Sequence, residues 1–283
     1  MRSAPIRLPI AATIAVAALV LPVSVALADG SAWQGDQRAG VRLVSADKKA
    51  DETRSIVRAG VEIRLAPGWK TYWRYPGDSG IPPHFDFKNS ENVKAVQVAW
   101  PAPERFAEAD GVIIGYRKSV LFPLTIEPKD TTQPVVLRLV LDYAICEKVC
   151  IPVHAKAELT IKAGGTAEAA IAAAEKTVPR ALPLGTDAAL SVKAVRHDDS
   201  VKPARVLVDI AAPGSDPAVV FAEGPTPDWA LPVPEKIEGA PAGLQRFAFA
   251  LDGLPPGATA KGAAIRLTAV AGNDAIETTI RLD

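Results

Sequence analysis

Alternation between apolar and polar residues is the feature that most constrains the fold of this chain. Between Val135 and Ile145, one parity holds Leu137, Leu139, Leu141 and Tyr143, while Arg138 and Asp142 share the other. From Val153 to Ile161 every second residue is again apolar. A period of two is that of a β-strand with one buried face. Both segments are therefore predicted to be half-buried strands.

Further segments are β-branched and partly alternating, and they are separated by turns. The 25 prolines and 20 glycines are scattered along the chain, as is typical of turns between short strands. This pattern predicts an all-β protein built from β-sandwiches. The additional strands are predicted at Gly40–Ala46, Ile56–Leu65, Val93–Trp100, Ser119–Ile126, Leu190–Val195, Ala204–Ile210, Ala218–Ala222, Gln245–Leu251, Ile265–Val270 and Ala275–Leu282.

One segment between these strands has the composition of a helix. Residues 166–178 read TAEAAIAAAEKTV, with Thr166 as a candidate N-cap and Pro179 after the end; a flexible alanine-rich linker is the alternative. The predicted organisation is a first domain at 29–163, a linker at 164–187 and a second, smaller β-sandwich at 188–283. The second domain has no cysteine and one histidine, and nothing in it indicates chemistry.

The first 28 residues have the pattern of a secretory signal peptide. Arg2 and Arg7 precede an apolar run from Ile10 to Leu21, and Ala26-Leu27-Ala28 is a small-x-small cleavage site. An uncleaved membrane anchor is the alternative, but Pro22 and the cleavage triplet favour removal. The mature chain would begin near Asp29 in an oxidising compartment, where disulfides persist.

Charge excludes one class of partner. Removing Arg2 and Arg7 from the 32 basic residues leaves 30 against 32 acidic residues, a net charge of −2. No basic stripe is present, so nucleic acid is not an expected partner. No segment after the leader is long and apolar enough to cross a membrane.

The only two cysteines, Cys146 and Cys150, lie between the two best-defined strands. If Glu147, Lys148 and Val149 form a three-residue hairpin loop, the two cysteines are opposite each other. Paired strand positions have Cα separations of roughly 4.5–5.5 Å, which a disulfide accepts. A disulfide is therefore predicted. Because the loop lacks the glycine that such hairpins prefer, some backbone strain is expected.

This disulfide would contribute little to stability. The chain-entropy relation gives only ~2 kcal/mol for a loop of about five residues, against ~4.7 kcal/mol for one of a hundred. Exposed or strained disulfides are often the labile, catalytic ones. A redox role for Cys146 and Cys150 is therefore favoured, and a passive hairpin disulfide is the alternative.

The cysteine region resembles that of a known family. Tyr143, the two cysteines and Pro152 are similar to the active-site hairpin of the N-terminal periplasmic domain of DsbD-type thiol:disulfide interchange proteins, and most of all to that of ScsB-type proteins. The resemblance spans roughly residues 33–161. Other segments that carry it are Trp69–Trp73 (WKTYW), Pro76–Pro82 (PGDSGIP), Trp100–Pro103 (WPAP) and Gly115-Tyr116.

The resemblance implies an immunoglobulin-like domain that needs no cofactor. Its cysteines would accept electrons from a membrane-embedded DsbD- or CcdA-like donor and pass them to oxidised periplasmic thioredoxin-like proteins. The membrane and thioredoxin-like domains of the full-length family are absent from this sequence, so the donor is expected on a separate chain. The C-x3-C spacing is also shorter than in the typical family member.

The resemblance also implies a short loop that caps the cysteines. Gly111–Tyr116 (GVIIGY) matches its position. Ile113, Ile114 and Tyr116, with Gly115 between them, would then shield the dithiol from stray oxidants. Ordinary core packing of these residues is the alternative.

Several side chains are candidates to assist the cysteines. Lys148, His154 or Arg138 would each lower a thiol pKa if close enough, and Glu147 would oppose this. Which cysteine attacks first is left open, with Cys150 as the first candidate because of its cationic neighbours. His154 is alternatively an exposed strand residue, and Tyr143 an inward core aromatic.

Two rival functions use the same residues. Cys146, Cys150 and His154 are ligand types suited to Cu(I) or Zn, which would make this a copper-binding protein. Alternatively, the chain is a non-enzymatic binding module with a structural disulfide. No paired carboxylates in a recognisable frame, no glycine-rich phosphate loop and no G-x-S-x-G motif occur, so hydrolase and nucleotide chemistry have no support.

Overall fold

The computed structural model describes residues 30–46, 49–50, 55–108, 111–161, 165–214 and 218–282, and these are almost entirely β-structure. The expected all-β class is confirmed. The predicted signal peptide lies outside the described residues.

The first part of the chain forms two six-stranded sheets. One sheet has the order β1-β2-β4-β10-β7 with β3 added on β4, and the other has the order β12-β11-β5-β9-β8 with β6 added on β11. Their facing apolar sides enclose a core that includes Leu43, Phe122 and Leu137. The strands are β1 Gln34–Gly35, β2 Ala39–Ser45, β3 Lys49–Ala50, β4 Ser55–Leu65, β5 Lys70–Gly77, β6 His84–Asp86, β7 Val93–Val98, β8 Glu104–Glu108, β9 Gly111–Arg117, β10 Ser119–Pro128, β11 Val135–Cys146 and β12 Cys150–Ile161.

The second part forms two four-stranded sheets, with the orders β13-β20-β19-β16 and β14-β15-β18-β17. Their own core includes Val208, Phe249 and Leu267. The domain boundaries given above stay a prediction, although β13 lies inside the predicted linker and pairs in parallel with β20. The strands are β13 Arg180–Ala181, β14 Ser191–Asp198, β15 Arg205–Ala211, β16 Val219–Glu223, β17 Glu235–Ile237, β18 Gln245–Ala250, β19 Ala264–Ala271 and β20 Asp274–Arg281.

The predicted helix is present but shorter, and it is not a free linker. Helix α1 runs over Glu168–Glu175, and Ala167 rather than Thr166 occupies the N-cap position. Ile171 is buried in a cluster with Val44 on β2 and Ala46 just after this strand. On β4, Arg58 donates to Glu175 Oε1 at 2.8 Å and to Glu168 Oε1 at 2.6 Å. Apolar contact and ion pairs thus fix the helix on the first pair of sheets. No helix in the described ranges has the length and hydropathy to span a bilayer.

Strand β5 connects the two parts of the molecule. The rings of Trp73 and Phe221 lie 5.7 Å apart. Arg74 Nε donates to Glu223 at 2.8 Å, and the Tyr75 hydroxyl donates to the carbonyl of Leu231. Phe221 belongs to the core of the first pair of sheets although it lies on β16. The second part therefore completes the packing around β5.

Candidate functional site

The two cysteines close the tip of the β11–β12 hairpin. Cys146 and Cys150 are the last register pair, with Glu147, Lys148 and Val149 as the loop. Their Cα atoms are 4.2 Å apart and the disulfide is formed. The predicted loop and cross-link are therefore present. The left-handed position at which strain was expected is not used, because among the described residues Asn92 and Lys118 are the non-glycine positions with positive φ and neither lies in this loop.

The two sulfurs have different surroundings. Cys146 is 4% exposed, whereas Cys150 begins the outer strand β12 and is exposed. Val149, the residue before Cys150, is 70% exposed and apolar. A protein that approaches the hairpin tip therefore meets Cys150 first.

The hydroxyl of Tyr72 contacts both sulfurs. Its oxygen lies 2.9 Å from Cys146 Sγ and 2.9 Å from Cys150 Sγ. Pairing of β5 with β11 sets this position, and Thr71 Oγ1 reinforces it by donating to the carbonyl of Ala144 at 2.8 Å. Burial raises the pKa of Tyr72, so the phenol is protonated at neutral pH and its O–H is available to a sulfur.

Tyr72 was missed by the sequence analysis. It lies within the WKTYW segment that carries the family resemblance, but no residue of that segment was nominated for the site. Trp73 is fully buried in the core, and its neighbour Tyr72 points to the opposite face of the same strand. Only the pairing of β5 with the distant β11 places the hydroxyl on the disulfide.

A β-hairpin, β8–β9, folds over the outer face of the disulfide sheet. In register, Lys70 is opposite Arg117 and Glu108 is opposite Gly111, six positions further along β9. In a flat sheet this offset corresponds to about 20 Å along the strand. Lys70 Nζ nevertheless lies 2.7 Å from Glu108 Oε1. The hairpin must therefore curl back across the sheet.

The curled hairpin brings apolar side chains onto the site. Phe106 and Ile113 form a buried cluster with Tyr72, Ala144 and Cys146. The guanidinium carbon of Arg117 lies 4.4 Å from the centroid of the Phe106 ring, a cation–π contact within β8–β9. Cys146 is thus covered on its outer side by an aromatic and an aliphatic residue.

A second segment, 78–83, covers the Tyr72 ring. Gly80 has φ +138°, and a Cβ there would lie 2.3 Å from Tyr72 Cε1, so only glycine fits without a shift. Asp78 Oδ2 accepts a hydrogen bond from the backbone nitrogen of Val112 at 2.7 Å, which connects this segment to β9. Ile81, the next residue after Gly80, is 51% exposed.

The prediction of a cap loop at 111–116 is wrong in two respects: the segment is not a loop, and only one of its three large side chains covers a cysteine. Residues 111–117 form strand β9, paired with β5 and β8, instead of a loop. Ile114 and Tyr116 face the sandwich core, where Tyr116 donates to the carbonyl of Pro101 at 2.8 Å, and only Ile113 joins the cluster with Cys146. Strand alternation explains this, since neighbours point to opposite faces. Gly115 allows β9 to approach β5 closely, because a Cβ at this position would lie 2.0 Å from the Thr71 carbonyl oxygen.

Tyr143 and Pro152 do not contact the sulfurs through polar groups. Tyr143 is 1% exposed in the main core, on the face opposite to Cys146, and burial, aided by the charge of Asp36, raises its pKa to about 12. It is the inward core aromatic of the alternative interpretation. Pro152 pairs with Ala144 on the exposed side of β12, where the missing N–H costs no ladder bond because β12 is an edge strand.

The cations nominated from the sequence are placed away from the sulfurs or in solvent. Arg138 forms ion pairs of 2.7 Å with Glu91 and with Glu158, eight positions along β11 from Cys146. His154 Nδ1 lies 2.7 Å from Asp142 Oδ1, four positions from Cys150. Lys148 is exposed in the loop. Arg138 and His154 lie on the predicted faces of their strands, and Lys148 lies in the predicted loop. However, the rise per residue along a strand places Arg138 and His154 far from the disulfide.

The alternative metal site is not assembled. Cys150 and His154 are four residues apart on a strand, about 13 Å, too far to share one ion. Within the described ranges, no group of three or more His, Cys, Asp and Glu side chains is arranged to hold a metal. The geometry therefore gives the copper interpretation no support.

Two comparisons with known proteins give matches, one to a family model and one to solved structures. Residues 41–162 match the family model described as thiol:disulfide interchange protein DsbD, N-terminal. The structure is similar to the crystal structure of the N-terminal periplasmic domain of ScsB from Proteus mirabilis, with a TM-score of 0.70 and 23% identity over 90% of this chain and 98% of that chain. At this identity the likeness establishes a shared fold. No curated protein matches the sequence.

Proposed function

We propose that this protein is a periplasmic thiol–disulfide exchange protein, because residues 41–162 match the family model of the DsbD N-terminal domain. It would take reducing equivalents from a membrane-embedded DsbD- or CcdA-like donor and pass them to thioredoxin-like proteins. The observation that carries the proposal is the asymmetric disulfide, in which Cys150 is exposed and Cys146 is buried against the Tyr72 hydroxyl. Such a bond closes too small a loop to serve mainly as a brace.

The asymmetry assigns a role to each sulfur during reduction. A thiolate of the donor attacks Cys150 Sγ, which is the accessible sulfur. The bond between the two cysteines breaks, and its electron pair leaves on Cys146 Sγ as a thiolate. The Tyr72 O–H is in position to donate to that thiolate, since it already lies within 2.9 Å of the sulfur. The donor's second thiol then releases Cys150 from the mixed disulfide.

Transfer to an acceptor runs in the opposite direction. The Cys150 thiolate attacks the disulfide of a thioredoxin-like protein and forms a mixed disulfide. Cys146 then attacks Cys150, the intramolecular disulfide returns, and the acceptor leaves as a dithiol. Electrons and protons balance, because two electrons pass for each disulfide formed here. The exposed Val149 beside Cys150 offers an apolar contact to the approaching protein.

Trapping with single-cysteine variants tests these roles. In Cys146→Ser the exposed Cys150 remains, and we expect stable mixed disulfides with oxidised thioredoxin-like proteins because the resolving thiol is missing. The matched control Cys150→Ser retains only the buried thiol and should trap far less. Equal trapping by both variants would contradict the assigned order of attack.

The reduction potential of the wild-type pair tests the function itself. Titration against glutathione should place the pair in the range of exchange proteins, above roughly −300 mV. A lower value together with no trapping would identify the bond as structural and would end the proposal.

A further inference from the structure

We propose that Lys70 is the positioning residue that stabilises the Cys146 thiolate when the disulfide opens, giving up its ion pair with Glu108 to do so. This inference rests on the exchange function proposed above. It adds the group that compensates the negative charge in the buried half of the site. None of the cations nominated from the sequence fills that role.

Opening of the disulfide creates a negative charge on Cys146 Sγ, whose buried surroundings do not favour a charge. Cys146 is 4% exposed and packs with Phe106, Ile113 and Tyr72. A charge in such surroundings is costly unless it is paired and hydrogen-bonded. Tyr72 supplies the hydrogen bond, so a cation is the missing component.

Lys70 is the cation directly opposite Cys146 in the sheet. The two residues are Cα partners in the β5–β11 pairing, and paired residues of antiparallel strands project to the same face with Cβ atoms roughly 4.5–5.5 Å apart. Lys70 Nζ also lies 5.8 Å from the centroid of Phe106, which belongs to the cluster that buries Cys146. Its side chain is 18% exposed, so water screens its charge only in part.

The other charged groups on this face are already matched or lie in solvent. On the curled hairpin, Arg117 pairs with Glu104 at 3.0 Å. Glu147 and Lys148 are exposed in the cysteine loop. Asp142 and His154 pair with each other four positions further along their strands.

Opening of the disulfide changes the number of negative charges around Lys70. When a thiolate attacks Cys150 Sγ and the electron pair leaves on Cys146 Sγ, Lys70 has two anions within reach of its flexible side chain. Glu108 has a 37% exposed side chain and can be solvated by water when released, whereas the Cys146 thiolate cannot. The ammonium group is therefore expected to move toward the sulfur. No proton transfer from Lys70 is required.

The test measures the thiol pKa of Cys146 alone. In a Cys150→Ser background, Cys146 is the single thiol, and its ionisation is followed by the ultraviolet absorbance of the thiolate against pH. Adding Lys70→Gln should raise the thiol pKa by roughly one unit, because the cation proposed to pair with the thiolate is removed. Glu108→Gln should lower it, since Lys70 loses its competing partner. Lys70→Arg keeps the charge and should remain close to the background value.

Lys148→Gln is the comparison variant, because Lys148 is a lysine next to the cysteines in sequence but exposed in the loop. We expect it to shift the thiol pKa by less than half as much as Lys70→Gln. No shift with Lys70→Gln, or an equal shift with Lys148→Gln, would overturn the role of Lys70. If Lys70→Gln fails to fold, the sign of the shift in Glu108→Gln decides, and an unchanged or raised pKa there overturns the proposal.

Failure of this inference is distinguishable from failure of the proposed function. In a parallel experiment, the disulfide of the wild-type protein is reduced with dithiothreitol, and the reduced protein is then reoxidised with an oxidised thioredoxin. If the wild type exchanges normally but Lys70→Gln leaves the pKa of the Cys146 thiol unchanged, only the inference about Lys70 is wrong. If the wild type does not exchange, the proposed function falls with it.

Discussion

Two long hairpins of this molecule close their tips in different ways. The β11–β12 hairpin has twelve residues in each strand and ends in a three-residue loop crossed by a disulfide. The β19–β20 hairpin has eight residues in each strand and turns through Gly272 and Asn273, with Gly272 at φ +57°. Its last pair, Ala271 and Asp274, is formed without any covalent link.

The comparison indicates that a hairpin tip in this protein does not need a cross-link to form. The shorter hairpin holds its register through backbone pairing and a glycine that accepts a left-handed conformation. The longer one has more pairs and a more extensive apolar face, so its need for a brace is smaller. This difference supports the proposed role of the disulfide in exchange rather than in bracing the hairpin.

Removal of Cys150 should have the largest effect and tests this comparison directly. Cys150→Ser is expected to abolish exchange with any dithiol, since the accessible sulfur is gone. The free energy of unfolding should fall by at most ~2 kcal/mol, the value for so small a loop. Exchange assays and urea denaturation measure the two effects. A stability loss well above this value would mean that the bond is a brace after all.

The second part of the molecule should depend on non-covalent pairs to a greater degree. Asp209 on β15 accepts from Arg246 Nε at 2.6 Å and from Arg196 at 2.8 Å, with its side chain 2% exposed. Asp209→Asn would leave the partly buried Arg246 without its counter-charge and should cost about 3 kcal/mol. The disulfide potential should not change. Urea denaturation compared with Asp142→Asn, an exposed partner of His154 expected to cost under ~1 kcal/mol, checks this.

The same carboxylate predicts a pH dependence. The hydrogen bond from Arg246 lowers the pKa of Asp209 below its usual value. A lowered pKa in the folded state contributes stability above the unfolded value of ~3.9, and this contribution is lost as the pH falls further. Wild-type protein should therefore lose stability below about pH 4, whereas Asp209→Asn should lack that component. Equal acid sensitivity of both proteins would contradict the assignment.

Loss of the tyrosine hydroxyl should have an intermediate effect on the reactive hairpin alone. Tyr72→Phe keeps the ring against Gly80 but removes the O–H that lies 2.9 Å from each sulfur. We expect exchange to slow by roughly tenfold, since a hydrogen bond to a charged group is worth about 1.5 kcal/mol or more. Stopped-flow kinetics with a small dithiol measure it. An unchanged rate would show that the hydroxyl has only a packing role.

The smallest effect is expected at the tip of the other hairpin. Gly272→Ala places a Cβ where no atom lies within 4 Å, so its cost comes only from the left-handed backbone. About 1 kcal/mol is expected, without any effect on exchange. Thermal denaturation provides the measurement. A cost far below this would show that the uncrossed hairpin does not depend on its glycine.

The sequence predicted the strands that alternate and the cysteine pair that joins them. Alternation predicted β11 and β12, and a three-residue loop between them placed Cys146 opposite Cys150. Strand β5 was not predicted, because KTYWRYPG shows no clean alternation. Consequently Lys70 and Tyr72 were missed as neighbours of the sulfurs, since their position depends on pairing between residues more than seventy apart.

The errors about individual site residues have a common physical origin. His154 and Arg138 were assigned to the correct side of their strands, but parity gives the face and not the distance along it. Similarly, Ile114 and Tyr116 lie in the predicted segment but point to the opposite face from Ile113. The curl of β8–β9 over the site has no local sequence signal, because it depends on contacts between three strands.

The insertion of Phe221 and Val233 into the core around Trp73 has a practical consequence. A protein shortened after β12 would present the indole of Trp73 and its neighbours to water, and we expect it to precipitate or to self-associate. Grafting the reactive hairpin into another scaffold would need strand β16 and the residues near 231–233 as well. The proposed redox site therefore depends on packing from both parts of the molecule, although both sulfurs lie in the first.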